Sequence, residues 1–368
     1  MISDANRQID KLGIHDVQTS PLNILYVSDD RGCLFLGVSL LSLLENNQEC
    51  KIINVFVLDD NISMANKCLL ETEAKKYNRT IVFLKKPHIR LLMGEELDSR
   101  KWPDNIFCRL FLPRIFREYE DIERILYIDT DTLILCNLTT LWDEDLNGYA
   151  CGAVLECMND LHKKCIGLDG DVPYFNSGLI LIDIERWREL KLESKCRNFA
   201  SGYLDSLEYP DEGIINGVLQ GNFKILHPRY NLTTVKSVFS YEELRKYRKS
   251  KVMYKESEYL EAIENPAIIH FSAGFMVDRP WIYPVKHEHP FHNEWMKYYN
   301  KSEWKDEFLI RRNGGLRSAI EGIIRKLPRP FVIGCMSIVY CYFKPLKYLM
   351  KSKVKKTSKF AKGGVVRK

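Results

Sequence analysis

Two aspartates flanking one residue, Asp129-Thr130-Asp131, close an apolar run, RILYI at 124–128. Carboxylates spaced this way at a strand's end project at neighbouring points, in the crevice where open α/β sheets bind their ligands. A divalent ion held there can bridge two phosphate oxygens and neutralise the charge of a departing diphosphate. Aspartate-rich turns after strands are also common as plain turns. The apolar strand before the pair and the LIL run at 133–135 after it favour the chemical reading.

The elements that would hold such a turn are legible on either side of it. LNILYVS (22–28) is apolar and β-branched and ends in Asp29-Asp30-Arg31-Gly32, and CLFLGVSLLSLLEN (33–46) reads as an apolar helix. IINVFVL (52–58) is a second strand, followed by a helical stretch at 62–77, and TIVFL (80–84) is a third. Strands this apolar, separated by helices, predict a parallel sheet covered on both faces, hence an α/β fold. Further apolar runs at 149–155, 178–184 and 266–269 predict more strands, whereas 235–262 and 284–306 are polar and helical in pattern. There is no internal repeat.

The chain has 368 residues, 45% of them apolar and 11% aromatic, which excludes global disorder. Its net charge of +5 conceals a division: residues 310–368 hold 16 Lys/Arg and one acid, Glu321, whereas 1–309 hold 38 bases and 48 acids. Within that basic tail lies FVIGCMSIVYCYF (331–343), too short to span a bilayer. Apolar and aromatic residues bracketed by Lys/Arg suit a segment lying on an anionic membrane surface, and that content favours membrane over nucleic acid as the tail's partner. Eleven scattered cysteines without a CxxC pair read as reduced thiols of a cytosolic protein. The N-terminus has no apolar run, so the sequons Asn137-Leu-Thr and Asn231-Leu-Thr are read as chance matches. The expected organisation is an N-terminal extension (1–21), one catalytic domain (22–309) and a basic, membrane-associating tail (310–368).

Six blocks in order, NILYVSDD, CRLFLPRIF, RILYIDTDTLIL with NLTTLW, YFNSGLILIDIERWR, DEGIINGVL, and IIHFSAGF followed by RPW, make residues 22–306 resemble glycosyltransferase family 8. This retaining family includes bacterial lipopolysaccharide galactosyl- and glucosyltransferases and glycogenin. The resemblance implies a GT-A fold, a Rossmann-like, mainly parallel mixed sheet flanked by helices and merged with an acceptor-binding half. It makes Asp129 and Asp131 a metal-binding pair, with Asp129 also near the ribose, and His270 the third ligand. An imidazole beside two carboxylates suits manganese, with magnesium second. Val27, Asp29 and Thr130 fall in donor-contacting blocks, Asp29 at the uracil. Arg109 stands where a basic side chain meets the donor, and Gly274 where the backbone approaches the diphosphate closely. Asn176 and Asp211 match residues that hold the transferred sugar, and Glu156 matches a further sugar-contacting acid. From the residues alone, Asn176 reads as a turn before strand 178–184, and Asp211 as a helix N-cap ahead of GIINGVL.

Three departures from the family pattern stand out. Glu212 replaces the usual Gln beside the anomeric carbon, where a carboxylate could stabilise an oxocarbenium-like centre or attack it. The motif HFSAGFMVDRPW is longer than its family form, and Arg279 stands in for a Lys. Gly32 occupies the place of an aromatic that often stacks on the base. The implied activity is metal-dependent, retaining transfer of glucose or galactose from a UDP-sugar to a saccharide or glycolipid acceptor. Asn176, Asp211 and Glu212 form the catalytic group of a cytoplasmic enzyme at the inner membrane face. Two other readings compete: a nucleotidyltransferase or phosphatase using the same aspartates, and a non-catalytic sugar-nucleotide-binding homologue held by the basic tail. The NSG, DEG and Pro-Trp blocks speak against the first, and the intact DTD with His270 against the second.

Overall fold

The computed structural model describes residues 21–94, 102–204, 207–273, 276–307, 309–311 and 327–350. Residues 1–20 of the N-terminal extension, Gly274 of the expected diphosphate loop, and 312–326 and 351–368 of the tail lie outside the described residues.

The chain opens with β1 (Leu22–Asp29), α1 (Cys33–Asn46), β2 (Ile53–Asp60), α2 (Met64–Lys75), β3 (Ile81–Lys85) and β4 (Arg124–Ile128). Six further strands follow: β5 (Thr132–Ile134), β6 (Cys151–Leu155), β7 (Phe175–Asp183), β8 (Lys224–Leu226), β9 (Leu232–Thr233) and β10 (Ile268–His270). The main sheet has seven strands in the order β3-β2-β1-β4-β7-β6-β8. β1 to β4 are mutually parallel, and β7 pairs antiparallel with both neighbours. The sheet is thus mainly parallel and mixed, as the family resemblance implies, with β7 as its reversed strand. A second sheet, β5-β10-β9, runs β10 antiparallel to β5 and parallel to β9.

α1 is apolar nearly all round because both of its faces are covered. Leu36, Leu40 and Leu43 join the core of the main sheet, while Val38 and Leu41 join a smaller core with Leu133, Ile269, Trp281 and Trp295. The hydroxyls of its buried serines tie the two sheets together. Ser39 Oγ lies 3.2 Å from the Tyr26 hydroxyl and 2.9 Å from Thr132 Oγ1, and Ser42 Oγ accepts from Ile134 N at 2.9 Å.

Two local readings are corrected. Asn176 is not in a turn: β7 begins three residues earlier than its apolar run suggests, at Phe175, and carries Asn176 and Ser177 within the strand. Asp211 is not an N-cap. Helix α3 (Pro210–Leu219) starts at Pro210 after Tyr209, with Asp211 and Glu212 in its first turn, where acidic side chains suit the helix dipole.

Nor does the tail's apolar block lie wholly free on the surface. Helix α5 (Arg329–Ile338) and the π-type turn Val339–Phe343 pack on α4 (Tyr241–Arg248), burying Val332, Ile333, Ser337, Tyr340 and Cys341. Ser337 Oγ donates to Lys246 O at 3.0 Å, and Arg329 Nε to Glu243 Oε1 at 2.7 Å. Ile310 and Arg311, just past the expected domain end, pair in parallel with Ile282 and Tyr283.

Candidate active site

The Asp129–Asp131 turn is clamped on both sides by backbone. Asp129 N donates to Gly178 O of β7 at 2.8 Å, and Phe271 N, just after β10, donates to Asp131 O at 2.9 Å. From below, Thr132 Oγ1 donates to Asp129 O at 2.8 Å, continuing the serine thread from α1. Because His270 pairs with Thr132 in the small sheet, the imidazole stands beside the turn. Its Nε2 lies 3.2 Å from Asp131 Oδ1 and 3.8 Å from Asp129 Oδ2, and the three ligand atoms fall within 4.8 Å of one another.

The imidazole's tautomer follows from a hydrogen-bond chain anchored at a backbone amide. Gly178 N–H can only donate, so Asn176 Oδ1 accepts from it at 3.0 Å. That oxygen also takes Asn231 Nδ2 at 2.9 Å, which leaves Asn231 Oδ1 to accept from His270 Nδ1, 3.0 Å away. Nδ1 therefore carries a proton, which turns Nε2 to the two carboxylates; once Nε2 gives up its own proton, its lone pair is the one a metal would take. Burial would lower the His270 pKa, but Asp131 and Asp129 outweigh it and the net shift is upward. Burial likewise opposes ionisation of Asp131, yet His270 and Arg279 hold its pKa down to about 2. The donor set, its tautomer and its charge fit a divalent cation.

Arg109 organises the other side. Its buried guanidinium donates to Asp129 Oδ1 from Nη2 at 2.9 Å and to Ser177 O from Nη1 at 2.6 Å, and its Nε lies 3.3 Å from Asp211 Oδ2. It also stacks 4.3 Å from the ring centroid of Tyr127, whose hydroxyl donates to Asp129 Oδ1 at 2.6 Å. Ser177 Oγ donates to Asp211 Oδ2 at 3.0 Å, and Asn176 Nδ2 to Glu212 Oε2 at 2.9 Å. Asn176, Asp211 and Glu212 thus form one hydrogen-bonded row beside the Asp–Asp–His cluster. Burial, then the charges of Glu156 and Asp211, raise the Glu212 pKa to about 8.

The remaining predicted residues are distributed around this centre. Val27 and Asp29 lie half-buried at the end of β1, and Asp29 Oδ1 accepts from Gly32 N at 2.9 Å. Thr130 is half-buried between the two aspartates. Despite the longer loop, Arg279 reaches the cluster: Nη2 lies 3.8 Å from Asp131 Oδ2 and donates to Ser272 O at 2.8 Å. Glu156 sits behind the row, with Arg248 at 3.0 Å and Lys236 at 3.8 Å.

The comparisons with known proteins agree with this geometry. The family model for glycosyl transferase family 8 matches residues 23–283. The chain belongs to glycosyltransferase family 8. As a member it resembles general stress protein A of Bacillus subtilis, 30% identical over 286 residues that cover 77% of this chain and 94% of that protein. A lipopolysaccharide 1,2-glucosyltransferase of Escherichia coli is 25% identical over 321 residues, covering 82% and 86%. Among solved structures, the galactosyltransferase LgtC in complex with donor and acceptor sugar analogues superposes with a TM-score of 0.64 at 22% identity, covering 77% of this chain and 99% of that one. The mainly parallel sheet flanked by helices is the GT-A-like fold of that neighbour.

Sequence reasoning missed several residues that build the family member's site: Tyr127, Ser177, Gly178 and Asn231. Asn231 was visible only as a sequon, yet it is 1% exposed and fixes the His270 ring. Gly178 had a signal in the NSG block. A methyl group there would overlap the His270 ring and lie 2.9 Å from Asp129 Oδ2. If the cluster holds a divalent cation, Gly178→Ala is therefore expected to weaken its binding about tenfold or more while leaving the fold intact. Titration calorimetry with Mn²⁺ beside a far-UV spectrum checks this, and unchanged affinity would show that the ring does not need that space.

Proposed function

We propose that this glycosyltransferase moves glucose or galactose from a UDP-sugar to a saccharide or glycolipid acceptor, with retention and with help from a divalent metal. The observation that carries the reading is the convergence of Asp129, Asp131 and His270 within 4.8 Å, next to the Asn176–Asp211–Glu212 row. When bound by those three ligands, manganese, or magnesium in second place, supplies neutralisation of the charge developing on the UDP leaving group. Arg279 adds a fixed cation on the same side. Val27, Asp29 and Thr130 take the nucleoside end of the donor, with Arg109 holding Asp129 in place. Asn176 and Asp211 hold hydroxyls of the transferred sugar, and the acceptor hydroxyl approaches on the face the diphosphate leaves, losing its proton to that phosphate. The non-catalytic alternative has no observation in its favour. UDP release from UDP-glucose or UDP-galactose is expected to require Mn²⁺ or Mg²⁺ and to fall at least about a hundredfold in Asp131→Asn. Metal-independent release would sink this reading.

Glu212 takes a particular part. With its pKa raised to about 8 it keeps its proton at neutral pH, so it hydrogen-bonds as the amide of the usual Gln would and does not attack. The sign follows from linkage. The folded state holds this proton and the unfolded state releases it between pH 4.5 and about 8, so stability is lost as pH rises through that window. Glu212→Gln is expected to keep turnover near wild type at pH 7, and its gain in melting temperature should be larger at pH 9 than at pH 5. An equal gain at both values would contradict the protonated carboxyl, and collapse of turnover would restore Glu212 as a nucleophile.

The acceptor side of the reading rests on the outward face of α5 and its continuation. Phe331, Ile338, Tyr342, Phe343 and Leu346 are between 43% and 66% exposed, next to Lys344 and Lys347. No described helix is long and apolar enough to cross a membrane. An exposed apolar stripe edged by bases suits the surface of an anionic leaflet, which favours a cytoplasmic enzyme peripherally attached to the inner face of the membrane, acting on a lipopolysaccharide-type or other cell-surface glycolipid acceptor. Aspartates at Phe331, Ile338 and Phe343 leave the buried face of α5 intact. The triple variant is expected to lose co-sedimentation with anionic liposomes, and equal recovery of variant and wild type in the pellet would overturn the attachment.

A further inference from the structure

Behind the carboxylate row lies a second buried ion-pair cluster that the transfer chemistry leaves unexplained. Glu156, just past β6, is 3.0 Å from Arg248 Nη2 through Oε1 and 3.8 Å from Lys236 Nζ through Oε2, all three side chains being at most 9% exposed. Glu156 N donates to Tyr174 O at 2.8 Å, which ties this carboxylate to the strand segment carrying Asn176, and the Tyr174 hydroxyl hydrogen-bonds Glu212. Among the described residues, Arg248, the last residue of α4, has one carboxylate partner, and its buried Nε has no hydrogen-bond partner. A guanidinium so incompletely bonded needs another contact to hold its position. Aromatic faces provide it: the guanidinium lies 4.2 Å from the ring centroid of Tyr340 and 5.2 Å from that of Tyr247.

Tyr340 belongs to the π-type turn that continues α5, so the nearer of these faces comes from the tail. The residue is itself pinned. Its carbonyl accepts from His162 Nε2 at 2.8 Å, its ring lies 4.6 Å from the His162 ring, and its hydroxyl donates to Met158 Sδ at 3.2 Å. Met158 and His162 sit two and six residues beyond Glu156. An unbroken line of contacts therefore runs from the docked tail helix through Arg248 and Glu156 to Tyr174 and Glu212.

We infer that Tyr340 and Arg248 are positioning residues: by seating the Arg248 guanidinium against Glu156, the docked C-terminal helix sets the electrostatic field at Glu212. The ionisation of Glu212, and with it the alkaline limit of turnover, then depends on that helix being in place. The inference rests on the transfer reading only for its activity readout. The groups facing Glu212 are the carboxylates of Glu156 and Asp211, the Tyr174 hydroxyl, the Asn176 amide and Ser177 N, with Arg248 and Lys236 countering Glu156 and Arg109 countering Asp211. Loss of the Arg248 cation leaves the Glu156 charge under-compensated and moves Glu212 ionisation to higher pH.

The test uses the full chain and its Tyr340→Phe, Tyr340→Leu and Arg248→Met variants. Glu212 is titrated by carboxyl carbon NMR in glutamate-labelled protein, its signal assigned by its loss in Glu212→Gln. Arg248→Met and Tyr340→Leu are expected to raise the Glu212 midpoint by about half a pH unit or more. Tyr340→Phe keeps the ring face and should leave the midpoint near that of wild type. Because Glu212 already keeps its proton at neutral pH, UDP-sugar turnover at pH 7 should stay within about twofold of wild type, while its alkaline limit moves up with the midpoint in Arg248→Met and Tyr340→Leu. If Tyr340→Leu does not fold, the near-isosteric Arg248→Met decides. An unchanged Glu212 midpoint in a folded Arg248→Met variant overturns the inference, as does a Tyr340→Phe variant whose midpoint rises as much as that of Tyr340→Leu. Absence of turnover in the wild type would remove the transfer reading, and the Glu212 titration would still decide this one.

Discussion

One buried guanidinium makes the rest of the site possible. Arg109 stands between Asp129, at the end of a parallel strand, and Asp211, on the first turn of α3, and it also takes the carbonyl of Ser177. Without it, two carboxylates from different elements would face each other in a poorly solvated space, with a third at Asp131 and the protonated Glu212 beside them. A buried ion pair of this kind contributes little net stability, but removing one partner leaves a charge that costs about 3–5 kcal/mol. The Tyr127 ring beneath the guanidinium restricts it to the plane in which both acids are reached. The acidic row and the metal cluster are thus two sides of one electrostatic unit.

A different principle governs the histidine. Its ring is oriented by neutral hydrogen bonds whose direction traces to a single backbone N–H, at Gly178. Asn176 lies at the junction of the two networks, with its amide nitrogen on Glu212 and its oxygen receiving Gly178 and Asn231. A change at Asn176 therefore reaches both the Asp211–Glu212 pair and the Asp129–Asp131–His270 cluster.

Much of this was legible in the sequence because long apolar runs announce themselves. α1 was bounded correctly at 33–46, and β1, β2, β3 and β4 fell within two residues of their runs. β8 and β9 were not legible, because strands of three and two residues carry no measurable period. Asp129 and Asp131 could be found from spacing and context, and His270, Asp211 and Asn176 through ordered motif blocks. The supporting residues were not accessible in this way. Tyr127 and Asn231 act through contacts between elements far apart in the chain, and their residue types are equally at home in a core or a turn. The tail was half legible: its amphipathic character showed in composition, but composition does not disclose that Tyr340 faces inward.

The reversal of β7 has a consequence for how such an enzyme can diversify. Because β7 runs against its neighbours, its first residues lie beside the last residues of β4, and the connection that delivers the chain to β7, residues 156–174, opens directly beside the site. Changes at its exposed positions, Lys164, Gly167, Asp169 and Asp171, would leave the strands that hold the aspartates untouched, whereas its ends, Glu156 and Tyr174, are buried and fixed. The opposite end of β7 leads into the short helix Ile184–Glu189, away from the chemistry, where new chain would be mechanically silent. One inverted strand thus brings both ends of a single connection to the edge of the site, while the aspartates stay on the turn that the neighbouring strand delivers.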